Sequence, residues 1–425
     1  MPTRFLHAAD IHLGYQQYNS KERYNDFARA FEQMADDAID HEVDSVLLAG
    51  DLFHKRTVDP RTLLQATLVL ERLQDQGIRV LAIEGNHDRS PENEGFSWLD
   101  YLTEMNLLTL LSAQYEGDDL VCPPWSHENG GCYIDLGDVR VMGIRYCGAR
   151  IPRVIRDLSE TLETLEGQRP PFTVLMLHAG LEDVLPNYGG TLTHAQLETL
   201  RPHVDYLALG HIHKPYKRDG WIYNPGSLES NSVTESEWKD RGYFIVDVHP
   251  KDNPTFTVTE IHNARRRFIC PSFEVDPYDT PKALYTALEG YLQNEAEAQG
   301  VGQRPVVVLR MTGALPFDHS DLDIEHIDKL TREIFEPIVC SIKDVTIPND
   351  FEIRVNDTMT RAELEYYVVK ELVERDVRRR DNSDEWSKTV LRLKDMALSG
   401  ATTDEIMDEL SAFREVLEDE DDETC

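Results

Sequence analysis

The 425-residue chain has only six cysteines, Cys122, Cys132, Cys147, Cys270, Cys340 and Cys425, and no two of them form a C-x-x-C pair. That spacing supplies neither a disulfide framework nor a thiolate zinc site, so free, buried thiols are expected. No apolar run approaches the roughly 20 residues needed to span a bilayer, so no membrane role is expected. The opening Met1-Pro2-Thr3-Arg4-Phe5-Leu6 lacks the basic, apolar and cleavage regions of a signal peptide, and a cytoplasmic location follows as the expectation. A G-x-x-x-x-G-K-[ST] loop is also missing, which excludes an ATP engine within this chain.

Positive charge is scarce too. Acidic residues number 78 against 43 basic ones, a formal net charge of −35, and only 12 of the basic residues are lysine. A lysine-poor acidic surface stays hydrated in concentrated salt, which in turn screens its self-repulsion, so a halophilic source is expected. A disordered acidic chain is excluded by apolar periodic segments along most of the length. Such acidity argues against nucleic acid as a partner. In molar salt, however, counterion release gives little binding energy, so bound metals and a local basic strip outweigh the global balance.

What is present is an alternation of short apolar runs with helical periods from Arg4 to about Val248, the signature of an α/β sandwich. Phe5–Ala9, Val43–Ala49, Val80–Ile83, Val174–Leu177 and Tyr206–Leu209 read as buried strands. Glu22–His41 reads as a helix, with Phe27, Phe31, Met34 and Ala38 at 3.6-residue spacing, and Arg61–Gln76 as another, closed by Gly77. Gly131–Asp135 and Val139–Arg145 form a predicted hairpin around Gly137-Asp138. The domain expectation is a sandwich over 1–264, a small α+β cap over 265–350, a helical segment over 351–417 and an acidic tail over 418–425. Within the cap, Phe268–Val275, a helix around Lys282–Gln293 and Val306–Met311 give a β-α-β unit, continued by a helix and Ile342–Ile347. In the helical segment, Thr360–Glu363 and Thr402–Glu405 fit capping boxes. Two apolar stripes follow, Trp386, Val390, Leu393 and Ala397, then Ile406, Leu410, Phe413 and Leu417. These suit packing on one another or gripping another helix.

Five groups of donors sit where an apolar strand ends: Asp10-Ile-His12, Gly50-Asp51, Gly85-Asn86-His87-Asp88, His178, and Gly210-His211-Ile212-His213. Ligand sites of α/β sheets gather at carboxyl ends of strands. Any one such residue is more often structural than functional, but five together in oxygen and nitrogen donors alone point to one centre. Carboxylate, imidazole and amide oxygen without thiolate suit Mn²⁺, Fe²⁺ or Zn²⁺. Two such ions ~3.5–4 Å apart activate water and clamp a phosphate for in-line attack. Asp51 is the candidate bridging carboxylate.

The string D-x-H, G-D, G-N-H-D, a lone H and G-H-x-H resembles, in order, the motif set of the calcineurin-like metallophosphoesterases. Within it, Ala49-Gly-Asp-Leu-Phe-His54, Ile83-Glu-Gly-Asn-His-Asp-Arg89, Ala208-Leu-Gly-His-Ile-His-Lys214 and Asn224-Pro-Gly-Ser-Leu-Glu229 are similar to the Mre-eleven/SbcD family of DNA double-strand-break repair nucleases. The resemblance covers about 1–265 by motif and 265–350 by layout, and it implies an archaeal, nucleoid-associated protein with a four-layer αββα sandwich. It places Asp10, His12, Asp51 and His213 around one metal, and Asp51, Asn86, His178 and His211 around the other, with two Mn²⁺ as the implied cofactor. His87 is the implied catalytic residue facing the phosphate, Asp88 is expected to orient its imidazole, and His54 to help place the strand. Tyr15, Tyr18, Tyr188 and Arg89 are candidate DNA contacts, although isolated loop tyrosines are more often surface or packing residues. The basic runs Arg265–Arg267 and Arg378–Arg380 suit either phosphate contact or counter-charge. Implied partners are DNA ends, an SMC-like ABC ATPase of the Rad-fifty or SbcC type docked on the C-terminal helices, and a second copy of the chain. The dimer seam expected from the resemblance uses Arg61–Gln76 and Glu94–Leu102, through Leu64, Leu68, Leu99 and Leu102, unless these leucines face their own core. The implied activity is Mn²⁺-dependent exo- and endonuclease cleavage of DNA. The alternatives are a phosphatase of the same superfamily, which shares the metal chemistry, and a non-catalytic scaffold, which the full set of ligands disfavours.

Overall fold

Alternation within each strand decides the layering. In the computed structural model Phe5, Leu47 and Leu81 point one way, and their neighbours Leu6, Val46 and Val80 the other. The structure describes residues 3–90, 95–164, 170–184, 191–238, 240–249, 254–299, 304–348, 360–374, 379, 382–399 and 402–413 except 404, 408 and 412. Tyr188, Glu94, Arg378, Arg380, Cys425 and the acidic tail lie outside the described residues. No helix among those described is long and apolar enough to cross a membrane.

The first sheet begins with β1 (Thr3–Ala8), β2 (Ser45–Leu48), β3 (Arg79–Ala82) and β4 (Thr109–Leu110), joined by α1 (Lys21–Asp40), α2 (Pro60–Asp75) and α3 (Trp98–Glu104). A hairpin, β5 (Gln114–Glu116) and β6 (Asp119–Val121), leads to β7 (Tyr133–Leu136) and β8 (Val139–Ile144), then α4 (Ile151–Thr164) and β9 (Phe172–His178). After β10 (Gly180–Leu181), β11 (Thr191–Leu192) and α5 (His194–Glu198) come β12 (Tyr206–Gly210), β13 (Tyr216–Arg218) and β14 (Ile222–Asn224). The chain then returns to the first sheet through β15 (Gly242–His249) and β16 (Thr255–His262), completing two six-stranded sheets, β16-β15-β1-β2-β3-β4 and β13-β14-β12-β9-β8-β7.

Three apolar layers fill the gaps. Phe31, Met34, Ala66 and Leu70 cover the outer face of the first sheet. Phe5, Leu47, Val174, Met176 and Tyr206 lie between the sheets. Ile155, Leu158 and Leu197 cover Leu175, Leu177 and Leu207 on the far side. Helix, sheet, sheet, helix is the expected αββα order, and each fully buried aliphatic side chain contributes roughly 1.5–3 kcal/mol. Helix starts are chemically marked: the Ser20 hydroxyl caps α1, Asp59 caps α2 with Pro60 in its first turn, and Ser97 with Asp100 forms a capping box for α3. That last cap puts the start of α3 at Trp98. Leu99 and Leu102 are its buried face, which takes them out of the expected dimer seam, whereas Leu64 and Leu68 on α2 are each 55% exposed.

By compactness the chain divides into one unit of 1–274, 282–312 and 323–345 and another of 275–281, 313–322 and 346–425. Beyond the sandwich, the first unit carries β17 (Phe268–Ile269), β18 (Ser272–Glu274), α6 (Pro281–Gln299), β19 (Val306–Thr312), α7 (Ile324–Phe335) and β21 (Val339–Asp344), where β20 is Ala314–Leu315 of the second unit. The expected single strand Phe268–Val275 is interrupted at Cys270-Pro271, because proline has no amide to donate, and both halves pair parallel to β19. In the second unit β20 pairs with β22 (Ile347–Pro348), and α8 (Arg361–Glu374) packs with α9 (Ser383–Leu398). Thr360–Glu363 and Thr402–Glu405 form their capping boxes, and Trp386 meets Phe413 edge to face at 4.7 Å. Val390 is 40% and Leu410 36% exposed, so the stripes are only partly covered among the described residues. The thiols are not all hidden: Cys122 and Cys132 are buried, but Cys270 is exposed.

Candidate metal centre

Because β1, β2, β3 and β4 run parallel, and β8, β9, β12 and β14 do likewise, their carboxyl ends fall along one edge of each sheet. That edge carries every expected metal donor, His178 as the last residue of β9 and the others in the loops leaving it. His12 Nε2 and His213 Nε2 face one another at 3.0 Å. Asn86 Oδ1 lies 3.1 Å from His178 Nε2 and 3.0 Å from His211 Nδ1. Asp51 Oδ2 stands between the two sets, 3.3 Å from His178 Nε2 and 3.9 Å from His12 Nε2. Asp10 completes the cluster, 3.9 Å from His213 Nε2 and accepting the His211 amide at 3.0 Å. Three triads, Asp10 with His12 and His213, Asp10 with Asp51 and His178, and His12 with His54 and His87, have donor atoms within 4.8 Å of one another. Aimed nitrogens and oxygens of this kind, converging from two sheets, fit divalent cations.

The backbone is bent to make this convergence. Asp10, His12, Asp51 and His211 all have positive φ, at 53°, 52°, 56° and 88°, a region costly for residues other than glycine. Strain gathered on the donors themselves is a mark of a functional site. Two motif glycines are demanded by close approach. A Cβ on Gly50, whose φ is +93°, would lie 2.3 Å from His178 Nδ1, and one on Gly85 would lie 2.0 Å from Asp51 Oδ1.

Burial sets the charges. Asp10, His12, Asp51 and His178 are buried. Burial drives His211 down to about 3 and His12 well below its ordinary value, with neighbouring imidazoles adding to the effect. These are neutral rings, the form that binds metal. For His178 burial is outweighed by Asp51 and Asp10, and its value rises to about 9. Burial likewise fails to neutralise Asp51, which His178 and His12 hold below the carboxylate range, whereas Asp10 is pushed up by its burial.

His87 faces the same open cavity of about 350 Å³, which is also lined by Asp51, Asn86, His211, His213, Lys214, Glu235 and Trp238. Its Nδ1 donates to the His54 carbonyl at 2.7 Å, and its own amide donates to Asp51 Oδ1 at 2.9 Å. Asp88 does not orient this imidazole, as had been expected. Its carboxylate accepts the amides of Gly85, Leu52 and Phe53 at 2.9–3.2 Å and so pins the β2 and β3 loops together. The His54 ring is stacked between Tyr15, at 3.8 Å, and His87, at 5.4 Å, and burial lowers it to about 4. Tyr15 is thus engaged in packing, Tyr18 is exposed with φ of 56°, and Arg89 is exposed. Arg266 of the first basic run is a counter-charge for Asp26.

Residues that gave no signal in the sequence also serve the centre. His178 Nδ1 donates to the Ala49 carbonyl at 2.8 Å, which turns Nε2 inward. His213 Nδ1 donates to Glu235 Oε1 at 2.9 Å, with the same result. Tyr146 packs against the rings of His211 and His178, at 5.5 and 5.9 Å. Glu235 lies 22 residues beyond His213 in a short turn without periodicity, so spacing alone could not reveal it.

Comparison with known proteins gives a family and several relatives. The calcineurin-like phosphoesterase family model matches residues 3–215. The chain is 34% identical over 240 residues to the DNA double-strand break repair protein Mre11 of Archaeoglobus fulgidus, covering 55% of this chain and 52% of that protein. It is 36% identical over 258 residues to the protein of the same name from Haloferax volcanii, covering 58% and 50%. The chain therefore spans about half the length of these curated relatives. Among solved structures, the calcineurin-like phosphoesterase YfkN from Bacillus subtilis aligns at 14% identity over 70% of this chain and 98% of that chain, with a TM-score of 0.37.

Proposed function

Since the chain belongs to the calcineurin-like phosphoesterase family, we propose that it is a two-metal nuclease that hydrolyses phosphodiester bonds of DNA ends in double-strand-break repair. The observation that carries this reading is the convergence of Asp10, His12, Asp51, Asn86, His178, His211 and His213 from two sheet edges onto one spot. In this reading Asp10, His12, Asp51 and His213 hold one ion, and Asp51, Asn86, His178 and His211 the other, Mn²⁺ being the preferred metal. Two divalent ions supply Lewis-acid stabilisation of the phosphoryl oxygens and a more acidic water.

The chain's own residues do the rest. With its Nδ1 proton committed to the His54 carbonyl, His87 presents Nε2 to the substrate, and in the imidazolium form it gives a proton to the leaving oxygen there. Asp88 holds the two loops that carry Asp51 and His87 in register. In the same reading Tyr18 and Arg89 border the substrate path, and the 265–350 segment serves to bind DNA. The exposed leucines Leu64 and Leu68 favour pairing of two copies through α2. The partly covered stripes of the C-terminal helices favour docking of a helical ATPase partner that presents DNA ends.

The test is end-labelled duplex DNA incubated in molar KCl with Mn²⁺, Mg²⁺ or EDTA, beside a chromogenic phosphodiester. Metal-dependent shortening of the DNA supports the nuclease. Turnover of the small ester with intact DNA would move the assignment to a general phosphoesterase, and silence on both would favour dependence on the ATPase or a scaffold.

A further inference from the structure

Among the buried charged side chains outside the expected ligand set, Arg23, Asp26, Glu229, Glu235 and Arg241 are linked to one another. Burial of charge is costly unless every member is paired, and here the pairs join end to end. At one end His213 Nδ1 donates to Glu235 Oε1 at 2.9 Å, which places a ring proton on Nδ1 and turns Nε2 toward His12. Asn231 Nδ2 lies 3.1 Å from the same nitrogen, and the carboxylate is the closer and charged neighbour. The other oxygen of Glu235 accepts Arg241 Nη1 at 2.8 Å and the Asn231 amide at 2.9 Å. Arg241 also donates to the hydroxyls of Ser227, at 2.8 Å, and Ser230, at 2.5 Å.

Ser230 passes the chain on. Its carbonyl accepts Arg23 Nη2 at 2.9 Å, and its amide donates to Glu229 Oε1, itself 3.3 Å from the same guanidinium nitrogen. Arg23 Nη1 donates to Asp26 Oδ2 at 2.9 Å. Asp26 then accepts both Arg266 Nε, at 2.5 Å, and Arg266 Nη2, at 2.7 Å, while Arg266 Nη1 donates to the Arg304 carbonyl at 2.6 Å. The far end is thus the point where the chain leaves the sandwich for β17 and β19.

We propose that this buried chain is a positioning relay: the seating of Arg266 at the root of the 265–345 segment sets how firmly Glu235 holds the His213 ring, and hence the affinity of the centre for a divalent ion. The inference rests on the metal reading above. From Glu235 to Arg23 each link has partners on both sides and is enclosed in a low-dielectric interior, while Asp26 at the far end also accepts Arg29 Nη1 at 3.0 Å and Arg266 is part-buried. Loss of Arg266 therefore leaves Asp26 with Arg23 and Arg29 as its cations, and the displacement of its carboxylate is what the neighbouring link must follow. Arg266 touches none of the expected metal donors, so any effect it has on metal uptake must travel through the intervening links.

The experiment is calorimetric titration of the metal-free 425-residue chain with Mn²⁺, with thermal midpoints measured alongside. Wild type, Glu235→Ala, Glu235→Gln, Arg266→Ala, Arg266→Lys and the double variant Glu235→Ala/Arg266→Ala are compared. Glu235→Ala is expected to weaken uptake of one ion equivalent by roughly 10–100-fold, as for other carboxylate supports of metal-holding histidines. Glu235→Gln, which still accepts the Nδ1 proton, recovers part of it. Arg266→Ala is expected to weaken the same equivalent by about 3–10-fold, Arg266→Lys by less, and the double variant by less than the product of the singles. If Arg266→Ala lowers the thermal midpoint while Mn²⁺ affinity stays at the wild-type value, or if the two substitutions multiply, the relay is overturned and the ion pairs are only anchors. Wild-type protein that takes up no divalent ion would instead overturn the metal reading itself.

Discussion

Replacement of Gly85 by alanine probes whether the Asp51 carboxylate must stand where it does. The new Cβ would lie 2.0 Å from Asp51 Oδ1 and 2.5 Å from the Asp51 amide nitrogen, whereas real Cβ contacts essentially never fall below 3.0 Å. Asp51 is 2% exposed, so its carboxylate has no solvent to swing into and the whole loop must shift. A shift of about 1 Å at a reacting centre costs on the order of 10²-fold in rate. Gly85 does not have positive φ, so backbone strain adds nothing to this figure. The assay is Mn²⁺-dependent hydrolysis of a chromogenic phosphodiester. Gly290→Ala serves as the companion variant, since Gly290 lies in α6 with nothing within 4 Å of the added methyl. That control should leave turnover unchanged and raise stability by about 0.5–1 kcal/mol. If Gly85→Ala turns the ester over at the rate of the Gly290→Ala control, the geometric reasoning is refuted.

His87→Ala should cut turnover by about 10²–10⁴-fold while the number of Mn²⁺ ions bound stays the same, and loss of an ion would show that His87 is a ligand after all. His7, buried between Tyr206 Oη and the Leu209 carbonyl, is pushed down to about 3 from 6.5 by its burial. The unfolded chain takes up this proton below pH 6.5 and the folded one does not, so the stability is intact above that pH and is lost on acidification. Between pH 6.5 and 5 the loss amounts to about 2 kcal/mol, at 1.36 kcal/mol per unit. Denaturant titrations of His7→Gln should show a shallower acid dependence than wild type by that amount, and parallel curves would contradict it.

The sequence revealed the parts of this molecule that follow a period or end a strand. Phe27, Phe31, Met34 and Ala38 marked the buried face of α1, and the donors after β1, β2, β3, β9 and β12 were found because apolar runs stop just before them. Arg23, on the same helix, reads as a surface residue, because one-dimensional patterning has no term for a guanidinium enclosed by Gln17, Asp26 and Ser230. Glu235 and Arg241 escaped for the same reason: their roles are defined by contacts across the fold. The leucines of α2 and α3 look alike in sequence, yet Leu99 and Leu102 turn inward and Leu64 and Leu68 outward, which is decided by the Ser97 cap and the packing of each helix. Asp88 was misjudged by adjacency. Side chains consecutive in a loop diverge, and its carboxylate turned to three backbone amides rather than to the imidazole beside it.

The central claim is that two ions sit between these two sheet edges. Anomalous scattering from crystals grown with Mn²⁺ tests it most directly. The account requires two peaks flanking the Asp51 carboxylate, one among Asp10, His12 and His213 and the other among Asn86, His178 and His211. A single peak, or peaks away from Asp51, would contradict it.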